Sequence, residues 1–351
     1  MIMSSSFSRL SFVQPKNPAN GFNLKDIKEV GKNERSSFER VLGDNMSSKD
    51  EATISGLKKD ETLPPPIGLN NSGTNCFFNA SLQCLLSCPK FITFITHLTD
   101  FLPSKPNTTD FLDLLAKHIQ TLKFSRNSKT LDVSQMLLML KKHSRGTISL
   151  NRQEDSHELL CVFLDLMEKC CLRRLNLPAT TRVDGISEST MIHKIFGGQL
   201  VETTSCPNCG FRSSKKESFL QLSLVLDSSK KASVHQLLHK MTETERLDIK
   251  NLWECEKCKN KVQAERRTEV SKEPDTLIVH LKRFGISFQN GLMKRTKLRT
   301  AVPIESEELQ VELNNGEKIE YYLVGVLVHK GESVHSGHYF SYVKCDEFGA
   351  R

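Results

Sequence analysis

The sequence predicts an α+β protein, on three observations. Apolar residues recur at helical spacing between residues 68 and 170. After about residue 190 the pattern changes to alternating, β-branched and aromatic runs separated by turn residues. Two Cys-x-x-Cys pairs, Cys206/Cys209 and Cys255/Cys258, fall inside that second region. Helices first, then strands around a metal candidate, then strands again, fit an enzyme body with a β insertion. The chain has 351 residues, 38% hydrophobic and 26% charged, which supplies apolar material for a sizeable core and excludes a wholly disordered chain. Its net charge of +8 is mild for this length and does not demand nucleic acid. No apolar run reaches the ~18 residues of a membrane span. The 11 cysteines are an odd number and no secretory segment precedes them, so free thiols and metal ligands in a reducing compartment, cytoplasmic and/or nuclear, are expected.

Residues 1–64 read as a disordered or weakly structured tail, polar and rich in Ser, Asn and Lys. Its most regular feature is a possible short helix around Phe38–Leu42. It ends at Pro64, Pro65 and Pro66, which favour extended backbone. Organised sequence begins at Gly68. The polar turn of GLNNSGTNC leads into an apolar run, read as a buried helix from near Cys76 and ended by Pro89. Helical patterns follow at Phe91–Leu98, Phe111–Leu122, Val133–Leu140 and Asp155–Glu168. Beyond residue 190, FGGQLVETTSCPNCG and SFLQLSLVL read as strands and VHQLLHKMT as a short helix. TEVSKEPDTLIVHLKRF, IEYYLVGVLVHKG and HYFSYVKC are strand-like again.

Four groups of residues carry chemistry. Cys76 stands where a polar turn meets a helix start. Free N–H groups and the helix dipole there stabilise a thiolate, and backbone donors would face an oxyanion formed at that sulfur. Asn71 and Asn75 could add side-chain donors. The plain alternative is a buried small residue. His338, after Gly337 and before a strand, has the chain order of a base brought to a distant thiol by the fold. Cys206, Cys209, Cys255 and Cys258 form the strongest signal, because two pairs in turn contexts complete a tetrahedral four-thiolate zinc site.

These residues sit in motifs that resemble the ubiquitin-specific protease family of papain-like cysteine peptidases. GLNNSGTNCFFNASLQCLL is similar to the family's Gly-Leu-x-Asn-x-Gly-Asn-Thr-Cys box, with the usual Asn-Thr swapped to Thr74-Asn75. QEDSHELL at 153–160 resembles its Gln-Gln-Asp-Ala-x-Glu-Phe-Leu, DTLIVHLKRF at 275–284 a core strand, and YYLVGVLVHKGESVHSGHYFSYVK its histidine box. The resemblance implies Cys76 as nucleophile, His338 as base and Asn71 as oxyanion donor. It implies Gln153, Asp155 and Tyr339 at the channel for the ubiquitin tail, and the four cysteines holding one structural zinc. The implied fold is a right hand: thumb about 68–190, fingers about 195–270, palm about 190–205 and 270–351, in a catalytic domain over 65–351. The implied activity is deubiquitination by a monomer whose partner is ubiquitin or ubiquitinated protein, with no nucleic acid and no membrane.

One departure shapes these expectations. The family's third triad residue, an Asp or Asn, follows the histidine in a later strand, and Arg351 is only 13 residues beyond His338. The last core strand is therefore expected to be missing and the domain C-terminally truncated, leaving a weak or inactive ubiquitin-binding protein as the alternative. Asp346 is the remaining candidate to orient His338. Other residues take the plainer reading. His157 and His280 are structural, His329 and His335 belong to a solvated loop, and Cys161, Cys170 and Cys171 are packing. The basic run 294–299 reads as a solvated face.

Overall fold

The computed structural model describes residues 7–15, 68–104, 109–124, 130–149, 152–177, 190–227, 231–289, 292–304, 308–333 and 336–344. The helix expected at Phe38–Leu42, the triple proline, His335 and Asp346 lie outside them. The chain divides into two units: Met1–Lys16 with Phe196–Tyr339, and Asn17–Ile195 with Phe340–Arg351.

The second unit is helical. Helix α1 (Cys76–Leu86) is buried almost all round, as its nearly continuous apolar sequence requires. Ser87 closes it by donating to the Gln83 and Cys84 carbonyls (3.1 and 3.3 Å). Pro89, expected as a stop, instead opens α2 (Pro89–Thr96), where its locked φ suits the first helical position. Helices α3 (Leu98–Phe101), α4 (Phe111–Phe124), α5 (Ser134–His143) and α6 (Ser156–Arg174) follow. Phe163 of α6 packs edge-on against Phe111 of α4 at 5.0 Å and tilted against Phe78 of α1 at 6.0 Å. Apolar spacing marks α2, α4, α5 and α6 in the sequence because each buries an apolar stripe.

A buried ion pair joins the end of α6 to the start of α4. The Arg174 guanidinium is 2% exposed. It donates to both Asp110 carboxylate oxygens (2.8 Å each) and pairs with Asp113 at 2.6 Å. Asp110 also caps α4 by accepting from the Leu112 and Asp113 N–H groups. Burial pushes the Asp110 carboxyl up, but Arg174 and these N–H groups outweigh it and hold it below the ordinary carboxylate range. Arg174→Met is expected to lower stability by ~1–3 kcal/mol, since it removes the partner of two acids that are only partly reached by solvent. The exposed Arg173→Met should change it by under ~0.5 kcal/mol. Thermal denaturation of both variants checks this. Because the Asp110 pKa is lowered on folding, its contribution should be fully present above the unfolded carboxylate range and be lost as the pH falls below that range through the lower folded pKa.

The other unit is built of strands. Strand β1 (Phe7–Pro15) lies within the stretch read as a tail. The short helix α7 (Met191–Phe196) leads from the helical unit into β2 (Gly198–Ser205), β3 (Arg212–Phe219) and β4 (Leu222–Val225). After α8 (Val234–Thr242) come β5 (Glu245–Arg246), β6 (Trp253–Glu254), β7 (Lys261–Val262), β8 (Glu265–Lys272) and β9 (Leu277–Lys282). The chain continues with β10 (Phe284–Gln289), β11 (Leu292–Lys297), β12 (Glu308–Glu312), β13 (Lys318–Ser333) and β14 (Ser336–Val343). Ser233 and Gln236 form a capping box that starts α8.

A six-stranded sheet runs β12-β13-β1-β9-β4, with β14 paired to β13. β1 is antiparallel to β13, Phe7 opposite Lys330 and Pro15 opposite Tyr321, and antiparallel to β9 from Leu10 to Val13. It is thus an interior strand, where residues 1–64 were expected to have none. Its partners lie so far along the chain that no local pattern reveals them. The core of this unit joins Leu222, Leu224, Leu237, Leu238, Val279, Leu281, Val311 and Tyr321. A second sheet, β3-β2-β8-β5, is half exposed; Cys206 and Cys209 lie in its β2–β3 turn, and Cys255 and Cys258 in the turn of a separate two-stranded sheet, β6-β7.

Candidate functional site

Cys76 is the first residue of α1 and is buried at 4% exposure. The turn before it is built from asparagines. The buried Asn75 accepts from the Ser72 N–H (2.8 Å) and donates to the Asn70 carbonyl (2.9 Å), where Asn79 also donates (3.1 Å). The stretch is pinned to the loop before α5: Asn70 N–H donates to the Leu131 carbonyl, and Leu131 N–H to that of Gly68, each at 2.9 Å. Asn71 is exposed, and its carboxamide oxygen accepts from Gly73 N–H (3.0 Å). That contact orients the side chain by its oxygen. Gly73 has φ +112°, a conformation that favours glycine. In α1 the first intrahelical N–H donor is Phe78, so the N–H groups of Cys76 and Phe77 head the helix without intrahelical partners.

Asp155 is the N-cap of α6, its carboxylate accepting from His157 N–H (2.8 Å). Burial pushes its carboxyl up, while the His157 and Glu158 N–H groups work the other way. A cationic ligand would compensate that burial. Gln153 stands two residues before it, half-buried. Between them Glu154, which the motif reading passed over, is buried and accepts from Ser149 N–H (3.0 Å) and Arg152 Nε (2.8 Å). This bond brace fixes the approach to α6. Cys170 and Cys171 are buried, and burial pushes both thiols up, Cys170 to about 11, which suits packing residues. Cys161, expected with them, is exposed instead, because it falls on the outer face of α6.

His338 and Tyr339 lie on β14 in the sheet unit. The His338 residue is exposed and the Tyr339 ring is buried, 4.4 Å from the ring of His329. Two expectations fail here. His329 is not in a solvated loop but fully buried on β13. Lys297, from the basic run, is not a solvated charge but donates to His329 (2.9 Å). Burial was invisible in the sequence because His329 stands where an apolar run gives way to Lys330, Gly331 and Glu332, and Lys297 is one of several cations in a basic run. His280, read as structural, meets the Ser223 hydroxyl at 3.2 Å between paired strands.

The four cysteines converge. Their sulfurs all lie within 4.8 Å of one another, with Cys206–Cys258 at 3.8 Å and Cys209–Cys255 at 3.5 Å. Four sulfurs ~2.3 Å from a tetrahedral ion stand about 3.8 Å apart, so the set fits a metal of zinc's size and softness. Each pair sits on a tight turn: Gly210 N–H donates to the Cys206 carbonyl (3.0 Å) and Lys259 N–H to that of Cys255 (2.8 Å). Both turns close at positive φ, +68° and +57°. Burial opposes the Cys255 thiolate, but the Cys258 and Lys257 N–H groups and the neighbouring thiols outweigh it and bring the thiol down to about 7. Phe211 stacks on Trp253 at 6.4 Å beside the cluster. The cluster can therefore hold a metal ion. Among the described residues, no helix is long and apolar enough to cross a membrane.

Comparison with known proteins agrees with these motifs. The ubiquitin carboxyl-terminal hydrolase family matches residues 67–349. Ubiquitin carboxyl-terminal hydrolase 23 of Arabidopsis thaliana is 33% identical, over 97% of this chain and 40% of its own length. The probable ubiquitin carboxyl-terminal hydrolase 16 of Schizosaccharomyces pombe is 28% identical, over 97% and 75%. The chain thus spans about two fifths of the Arabidopsis relative. Among solved structures, a SAGA DUB module of Ubp8, Sgf11, Sus1 and Sgf73 bound to monoubiquitin matches with TM-score 0.64 and 22% identity, over 89% of this chain and 66% of that one. The module bound to ubiquitin aldehyde matches at 0.63, over 90% and 69%. These likenesses show a shared α+β fold.

Proposed function

Because the chain belongs to the ubiquitin carboxyl-terminal hydrolase family, we propose that it is a cysteine-type deubiquitinase, cleaving the peptide or isopeptide bond after the C-terminal glycine of ubiquitin. Cys76 is the nucleophile and His338 its base. His338 takes the thiol proton, and the thiolate attacks the glycine carbonyl. The oxyanion is met by the Cys76 N–H and the amide donors of Asn71. His338 returns the proton to the leaving amine, the tetrahedral intermediate collapses to a thioester, and water hydrolyses it. The observation that supports this reading is the placement of Cys76: first residue of α1, behind a turn held by Asn75, with N–H groups at its head that have no intrahelical partner.

Gln153, Asp155 and Tyr339 are assigned to the channel for the ubiquitin tail. A guanidinium from that tail would offset the burial of Asp155. Cys206, Cys209, Cys255 and Cys258 hold one structural zinc ion, which would tie the β2–β3 turn to the β6–β7 turn. Residues 65–351 form the catalytic domain, acting as a monomer on ubiquitin or ubiquitinated proteins in the cytoplasm and/or nucleus. The test is reaction with ubiquitin carrying a C-terminal electrophile. One adduct per chain is expected, on Cys76, and none in Cys76→Ala. Adduct on another thiol, such as the exposed Cys161, or no adduct with the unaltered chain, would overturn the assignment.

A further inference from the structure

The segment that carries His338 is held by a polar contact that the proposed mechanism does not use. Lys297, at the end of β11, donates to three acceptors on β13: His329 Nδ1 (2.9 Å), the His329 carbonyl (3.2 Å) and the Gly331 carbonyl (2.7 Å). An ammonium has three protons, and these bonds use all three. The ammonium also lies over the Phe284 ring at 5.7 Å. His329, fully buried, is boxed by Phe284 at 5.9 Å and Tyr339 at 4.4 Å. Since Nδ1 accepts from Lys297, a neutral ring carries its proton on Nε2. Burial and then Lys297 push His329 down to about 4, while the Ser336 carbonyl favours a proton on the ring. Burial, with Arg283 and Arg299 nearby, pulls Lys297 to about 8. At neutral pH the pair is therefore an ammonium donating to a neutral imidazole.

The other side of that ring meets the backbone leading to His338. A Cβ built on Gly337 would come 2.6 Å from His329 Nε2 and 2.4 Å from the Lys330 carbonyl. One on Gly331 would come 2.3 Å from the Ser336 carbonyl and 3.2 Å from His329 Cε1. Gly337 has φ +139°, so its backbone is both unusual and in contact with the ring. His338 begins immediately after it. Lys297, His329, Gly337 and His338 thus form one chain of contacts, which fixes the base through its backbone.

We propose that Lys297 and His329 are positioning residues for His338, clamping the Ser336–Gly337 backbone so that the imidazole of the base is presented in one orientation. The proposal rests on the reading of His338 as the base. A misplacement of ~1 Å costs ~100-fold in rate, with substrate binding untouched.

The test is turnover of a ubiquitin–fluorophore substrate by the unaltered chain, Lys297→Met, His329→Phe, the double variant and His338→Ala. Thermal melting and binding of inert ubiquitin are measured alongside. Lys297→Met removes the three donors and keeps the length; His329→Phe keeps the ring packing and removes both nitrogens. Each single variant is expected to lose ~10–100-fold in kcat with KM and ubiquitin binding within twofold. The double variant should lose no more than the worse single one, because the two act as a unit. Retention of kcat within twofold by both single variants overturns the proposal. So does unfolding, or parallel loss of binding and turnover, since the pair would then hold the sheet rather than the base. Full activity of His338→Ala would instead remove the base assignment itself.

Discussion

Cys76→Ala is expected to lower turnover of a ubiquitin–fluorophore substrate by at least ~10⁴-fold and to leave binding of ubiquitin unchanged within a factor of about two. The asymmetry follows from what the sulfur does. It makes its bond only in the transition state, whereas on the proposed reading ubiquitin binding rests on residues other than this sulfur. His338→Ala should cost a comparable amount, because nucleophile and base act as a unit, and combining both changes should add little. Asn71→Ala should cost ~10²–10³-fold in kcat with KM nearly constant, the signature of a lost oxyanion donor. The Asn75 network offers a control of a different kind. Asn75→Ala breaks bonds to Ser72 and Asn70, so it should reduce stability as well as turnover. Ubiquitin binding without measurable turnover in the unaltered chain would favour the rival reading of a ubiquitin-binding protein that does no chemistry.

Cys255→Ser is expected to release the metal and unfold the two turns that it joins. Structural zinc in four-thiolate sites contributes ~10–16 kcal/mol, as much as the whole stability of a typical domain. Among the described residues, the apolar packing around the cluster is small: buried Val262 and Ala264 beside partly buried Phe211, Leu247 and Trp253. By contrast the core built on Leu224, Leu237, Val279 and Tyr321 has its own α8 and strands. Loss should therefore be local. Elemental analysis should give about one zinc per unaltered chain and none in the variant. Amide exchange should rise in β2, β3, β6 and β7 and stay slow in β9. A metal-free protein with slow exchange at those four strands would refute the structural role of the ion.

Much of this molecule was legible one residue at a time. The apolar stripes of α4, α5 and α6 are short-range patterns, and a stripe must be buried wherever it lies, so these helices could be read from neighbouring residues alone. The two Cys-x-x-Cys pairs carried their own tetrahedral logic, and the sulfurs do converge. The start of α1 at Cys76 followed from a polar turn running into an apolar string. Even Pro89 was legible as a boundary, though it opens α2 rather than merely ending α1, because a proline's missing N–H is harmless in a first turn.

Elsewhere the deciding contact is remote in sequence, and long-range packing sets the outcome. Phe7–Pro15 sits in a polar stretch with no core of its own. It becomes an interior strand because β13 and β9, both far along the chain, present edges on its two sides. The β10–β11 hairpin was unmarked, and with it the fate of Lys297, whose neighbours Lys294, Arg295 and Arg299 make it look like one charge among several. His329 was ambiguous, since a histidine between the apolar run ending at Val328 and the polar Lys330, Gly331 and Glu332 is as readily the start of a loop as the end of a buried strand. What separates them is a backbone turn that brings one ammonium to two carbonyls and a ring nitrogen. Local sequence encodes periodicity and turn chemistry, which need only neighbours. Burial of a charge depends on which distant strand closes over it, and that is set by the fold as a whole.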